Sequence, residues 1–179
     1  MRPATVHHAG LTTTITADMA TRDTSKRTIP RPGICSMCGE HSGHISPRSK
    51  ECDDCRTAKG LYRTTQSNLK NGFNRKNKGS PSLNITLQDF CRWRRKTPQV
   101  CHYCGIPESN LRAVGMKSQI QRDVKTMGVD RVDSSRGYEA GNLVPCCFVC
   151  NQVKGDRFTA AEMRHIGAGI GRVWTERLR

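Results

Sequence analysis

The sequence predicts a small, metal-stapled α+β protein, and three observations carry that expectation. Eight of the ten cysteines fall into four CxxC pairs. Only 35% of the residues are hydrophobic and 5% aromatic, thin for a self-sufficient core, and metal staples repair such a deficit. The stretch GVDRVDSSRGYEAGNLVPCCFVCNQVKGD reads as two short β-branched runs joined by turn chemistry, followed directly by a helix.

A chain of 179 residues has room for one domain and a smaller companion. Its net charge of +15, from 30 Lys plus Arg against 15 acids, calls for a polyanionic partner. Nucleic acid leads, with an anionic membrane surface as the alternative. No apolar run is long enough to enter or span a membrane, and no apolar secretory signal is visible. Paired CxxC spacing favours zinc in a reducing, intracellular compartment over disulfides.

Residues 1–33 carry no helical or strand period and are expected to form a disordered arm. Met19 is an alternative start. The Thr- and Arg-rich composition also faintly resembles an organelle transit peptide, although Asp18 and Asp23 interrupt it.

Residues 34–58 predict a zinc ribbon. CSMC at Cys35 and Cys38 is followed, after thirteen residues, by CDDC at Cys52 and Cys55. Each pair makes a tight knuckle, and two knuckles complete a tetrahedral zinc site. His41 and His44 lie between them and are read as solvated loop residues, because four thiolates already suffice.

Residues 59–99 are expected to form a basic, DNA-contacting helical segment. From Arg56 to Lys78 there are seven basic residues and no acid, so phosphate contact outweighs the usual reading of a charge run as a solvated face. Arg63, Lys70, Arg75, Lys76 and Lys78 are the candidate contacts. A weakly amphipathic helix is expected around 56–70, ending near Gly72. Thr86 with Asp89 then opens a second helix in the manner of a capping box. Leu87, Phe90, Cys91 and the stem of Arg94 face inward there, while Arg92, Arg95 and Lys96 point outward towards phosphate.

Residues 100–179 hold the second knuckle pair. CHYC at Cys101 and Cys104 is completed 42 residues later by Cys147 and Cys150, around the predicted hairpin. Cys91 and Cys146 are left for packing. Residues 107–127 lack a clean period and read as decoration, with Ile120, Val124 and Met127 as a loosely defined helical stripe. Thr159 with Glu162 predicts another capping box, on a helix that carries Met163 and Ile166 inward and frays at GAGIG.

On these residues the segment 101–158, about a third of the chain, resembles the HNH, or His-Me finger, nuclease family. That resemblance implies a ββα-metal core, hydrolysis of a DNA phosphodiester, and a hairpin pressed against the minor groove. Asp130 matches the metal-binding Asp, Asn142 the middle Asn that closes the loop, and Asn151 the last metal ligand, together holding one Mg2+ or Mn2+. Arg131 stands where the family carries its general-base His, as in a phage-type subgroup with DR in place of DH. Arginine stays protonated and cannot take a proton from water, so Arg131 is expected to clamp phosphate, with Lys154 and Arg157 as further clamps. Asp133, His102 and Tyr138 are the candidate bases.

The reading is therefore a phage or homing-type endonuclease on double-stranded DNA, with two structural zinc ions and one catalytic cation, monomer and homodimer both open. A zinc-containing nucleic-acid binder silenced by Arg131 is the alternative. A basic protein of an RNA–protein particle is a third, and it would not need the pairing of Asp130 with Asn151.

Overall fold

The computed structural model describes residues 31–70 and 81–179. Strands β1 (Arg31–Ile34) and β2 (His41–Ile45) form an antiparallel ribbon with an irregularity between Arg31 and Gly33. The ribbon therefore begins inside the segment expected to be an arm; residues 1–30 lie outside the described residues. Cys35 and Cys38 sit on the turn after β1, Cys52 and Cys55 at the start of helix α1 (Asp53–Lys70). The two knuckles of CxxC followed by Gly are built alike: Gly39 N donates to Cys35 O (2.9 Å) and Gly105 N to Cys101 O (3.0 Å). Both glycines have positive φ, 75° and 73°, which a side chain would strain.

Helix α2 (Leu87–Lys96) starts as predicted, with Asp89 N donating to Thr86 Oγ1 at 3.1 Å. It packs on α1 through Phe90, whose ring meets Tyr62 edge-on at 5.7 Å. Phe90 and Cys91 are buried with the first cysteine group. Arg94 is buried entirely, guanidinium included, at 2% exposure. It donates twice to Glu108, both at 2.8 Å, and once to Gln99 Oε1 at 2.7 Å.

Residues 107–127 correct the sequence reading. They form a single 3-10 turn (Glu108–Asn110) and further turns. Leu111, Val114, Met116 and Met127 nevertheless enter the core around the second cysteine group, while Ile120 is 68% exposed. The segment is core rather than decoration. It lacks a period because an irregular backbone buries side chains at irregular intervals.

Strands β3 (Gly128–Arg131) and β4 (Leu143–Cys146) pair antiparallel with Asp130 opposite Val144, and helix α3 (Phe148–Lys154) follows at once. The hairpin lies between two cores. Val129 and Leu143 join the first, and Cys146 joins the second.

Helix α4 (Ala160–Arg177) opens on the predicted box, with Thr159 N donating to Glu162 Oε2 (2.8 Å) and Glu162 N to Thr159 Oγ1 (3.2 Å). It does not fray at GAGIG. A Cβ at Gly167 would strike the carbonyl of Tyr103, and one at Gly171 would lie 2.6 Å from Cys104 O. These glycines let the helix backbone lie directly on the first half of the second knuckle pair, and Trp174 is buried beyond them.

Candidate active site

The two expected cysteine groups converge. Within each of Cys35/Cys38/Cys52/Cys55 and Cys101/Cys104/Cys147/Cys150 the four Sγ atoms lie within 4.8 Å of one another. Zinc bonds of ~2.3 Å in a tetrahedron imply sulfur–sulfur edges of ~3.8 Å, and Cys104 Sγ to Cys147 Sγ measures 3.7 Å. Each group could hold structural zinc. Cys91 and Cys146 belong to neither: Cys91 donates to Cys55 O (3.8 Å), and burial pushes its thiol up to about 11.

Between these groups, β3, β4 and α3 make a ββα unit. Asp130, near the end of β3, is 7% exposed. Tyr103, inside the CHYC knuckle, donates its phenol proton to Asp130 Oδ2 at 2.6 Å. Burial first, and then that bond, raise the phenol well above its ordinary range, so it stays protonated. Lys154 Nζ lies 3.2 Å from Oδ2 and 3.5 Å from Oδ1. It also donates to Arg131 O and Ser134 Oγ, both at 2.9 Å. Lys154 is 0% exposed. It has no surface on which to meet DNA phosphate, contrary to its expected role as a phosphate clamp.

Asn151 lies one turn before Lys154 on α3 and is half-buried. It lines a cleft of about 510 Å³ with Val129, Tyr138 and Gln152 on one side and Thr64 and Asn68 of α1 on the other. A carboxylate and an amide oxygen are the hard donors that suit Mg2+ or Mn2+. Among the described residues, Oδ1 of Asp130 is the freer oxygen, its contact being the 3.5 Å approach of Lys154. The donor set fits such a cation.

Asn142 is spent within the loop: Oδ1 accepts from Asp133 N (2.9 Å), and Nδ2 donates to Asp133 O (3.1 Å) and Gly137 O (2.9 Å). Arg131 points into the same loop. It donates to Ser134 O (2.6 Å) and Arg136 O (2.8 Å), lies 3.5 Å from Asp156, and stacks over Tyr138 at 5.3 Å. A guanidinium committed to carbonyls organises the loop from inside, which corrects its assignment as a phosphate clamp.

No family model and no curated relative matches the sequence. Among solved structures, the rare-cutting HNH restriction endonuclease PacI, described as perturbing DNA by an extraordinary mechanism, aligns with a TM-score of 0.58 and 28% identity. The alignment spans 80% of this chain and 96% of that one.

The chain has an HNH nuclease fold.

Within that fold, the other expected residues separate by position. Arg63, Lys70 and Lys96 are exposed. Arg92 is exposed but paired with Asp89 at 2.8 Å. Arg95 is tied to the first cysteine group, donating to His41 O (2.5 Å) and Cys52 Sγ (3.5 Å). Arg157 is exposed and lines a groove of about 530 Å³ with Asp133, Ser134, Phe158 and Arg164. Arg75, Lys76 and Lys78 lie outside the described residues. Among the candidate bases, hydrogen bonds from Ser135 hold Asp133 below its ordinary range. Burial and Arg164, 3.3 Å away, lower His102. Burial raises Tyr138. Tyr103, which donates to Asp130, and Ser134, which accepts from Lys154, were not singled out in the sequence. Their approach depends on how α3 and the knuckle pack on the hairpin, which no local pattern encodes.

Proposed function

We propose that this protein is a metal-dependent endonuclease of the phage or mobile-element kind, acting on double-stranded DNA. The supporting observation is the ββα unit, in which a buried strand carboxylate, Asp130, and a helix amide, Asn151, are held on two packed elements between two cysteine groups. Asp130 and Asn151 are the residues that would hold one Mg2+ or Mn2+. When bound, that cation would polarise the scissile phosphodiester and offset the charge developing on its oxygens.

The chain's own residues do the positioning. Tyr103 and Lys154 fix the rotamer of Asp130 from two directions, which is the orientation an oxygen ligand needs. Asn142 and Arg131 hold the loop between β3 and β4. Arg63, Lys70, Lys96 and Arg157 supply exposed charge for the phosphate backbone, so binding should weaken steeply with salt. Arg75, Lys76 and Lys78 extend that basic stretch in sequence.

The test is a plasmid-cleavage assay of the zinc-loaded protein with and without Mg2+ or Mn2+, beside Asp130→Asn and Asn151→Ala. Metal-dependent nicking or cutting that both variants lose is the expected result. Salt-sensitive DNA binding with no cutting under any condition would refute it and favour the silent binder, the reading that Arg131 in place of a histidine base supports.

A further inference from the structure

Lys154 is the most unusual charge among the described residues. A lysine at 0% exposure is costly unless every ammonium proton is answered. Here the acceptors are the Asp130 carboxylate at 3.2 Å, Arg131 O at 2.9 Å and Ser134 Oγ at 2.9 Å. The ammonium therefore neutralises the carboxylate that the proposed function assigns to the divalent cation. The neighbouring Arg131 lies 3.5 Å from Asp156, whose side chain is 63% exposed, so that pair is screened by water. Tyr103 adds a neutral donor. The Asp130 carboxylate is thus close to neutralised by Lys154 before a cation arrives.

A divalent cation entering such a site meets a carboxylate already committed to a resident charge. It gains little net attraction until a second anion comes with it, and the phosphodiester of bound DNA is that anion. We propose that Lys154 is a built-in counter-cation that holds Asp130 in place while weakening its grip on free divalent metal, so that metal and DNA bind this site cooperatively. This rests on reading Asp130 as the metal ligand. Lys154 is then a positioning residue: it acts through Asp130 and sets the order of assembly, keeping the site poorly loaded until a phosphate is present. Linkage requires the effect to be mutual, with metal tightening DNA binding by the same factor.

The experiment is Mn2+ binding to the full, zinc-loaded chain, followed by electron paramagnetic resonance of free Mn2+, with and without sonicated duplex DNA. Asp130→Asn serves as the blank for ions held by DNA or the protein surface. For the wild type, the Asp130-dependent affinity should rise about tenfold or more when DNA is added, within the ordinary span of coupling between sites. Lys154→Gln, which keeps a hydrogen-bond donor and removes the charge, should bind Mn2+ about tenfold more tightly than wild type without DNA and gain less from adding it. Zinc content and circular dichroism establish that the variant is folded. Equal affinity of wild type and Lys154→Gln without DNA would overturn the proposal. Equal affinity of the wild type with and without DNA would do so too, and that arm needs no variant. If either occurs while the wild type cuts DNA, the nuclease reading stands and the role of Lys154 falls. If no Asp130-dependent Mn2+ binds under any condition, both fall.

Discussion

Removing Glu108 should destabilise this protein more than removing its partner Arg94. Arg94 sits on α2 at 2% side-chain exposure, and Glu108, at 25%, accepts two of its hydrogen bonds at 2.8 Å. The same carboxylate accepts from Met127 N, at the entrance to β3. Glu108 thus ties α2 to the strand that carries Asp130. In Glu108→Ala a guanidinium remains buried with Gln99 Oε1 at 2.7 Å and Met127 O at 3.5 Å as its acceptors. Leaving one partner of such a pair uncompensated costs about 3–5 kcal/mol, a large part of the ~5–15 kcal/mol that holds a domain folded. Arg94→Met leaves instead a carboxylate that water can reach, and fills the space with apolar volume. It should cost less, and the double variant should recover part of what Glu108→Ala loses. The assay is denaturant unfolding at a fixed zinc concentration, because free metal shifts apparent stability. A loss below ~1 kcal/mol for Glu108→Ala, the range of an exposed pair, would refute the reasoning, as would a double variant less stable than Glu108→Ala.

Three further outcomes are expected. Tyr103→Phe removes the proton donated to Asp130 at 2.6 Å and should lower metal-dependent cleavage about 10–100-fold, as loss of a ligand's outer partner does, with zinc content unchanged. Gly171→Ala would help an ordinary helix by ~1 kcal/mol. Here its Cβ lies 2.6 Å from Cys104 O, so the thermal midpoint should fall, and a rise would show that α4 does not lie against the knuckle. Glu162 is held below its ordinary range chiefly by the backbone N–H of Thr159. Its contribution is thus present above the unfolded carboxylate range and lost as pH falls through the lower folded value. Glu162→Gln should therefore flatten the acid side of the stability profile, measured by thermal denaturation from neutral pH downwards.

Local chemistry made much of this fold legible. Cysteine spacing marked both four-thiol groups, because the CxxC knuckle is a short-range structure that needs only its own backbone. Thr86, Thr159 and Glu162 announced their helix starts for the same reason, and the two short β-branched runs joined by turn chemistry marked the hairpin with Asp130 on its first strand. What the sequence left undecided concerned residues whose fate depends on distant partners. Lys154 and Arg131 read as phosphate clamps, yet packing turned one onto Asp130 and the other into its own loop. Ile120 read as part of a stripe and is exposed, while Leu111 and Met116, in a segment without period, are buried. Gly167 and Gly171 read as a fraying end, and only the carbonyls of Tyr103 and Cys104 beneath them explain an uninterrupted helix. A charge or a glycine records what a position tolerates; what it meets is set by the approach of other elements, and that approach exists only in the assembled chain.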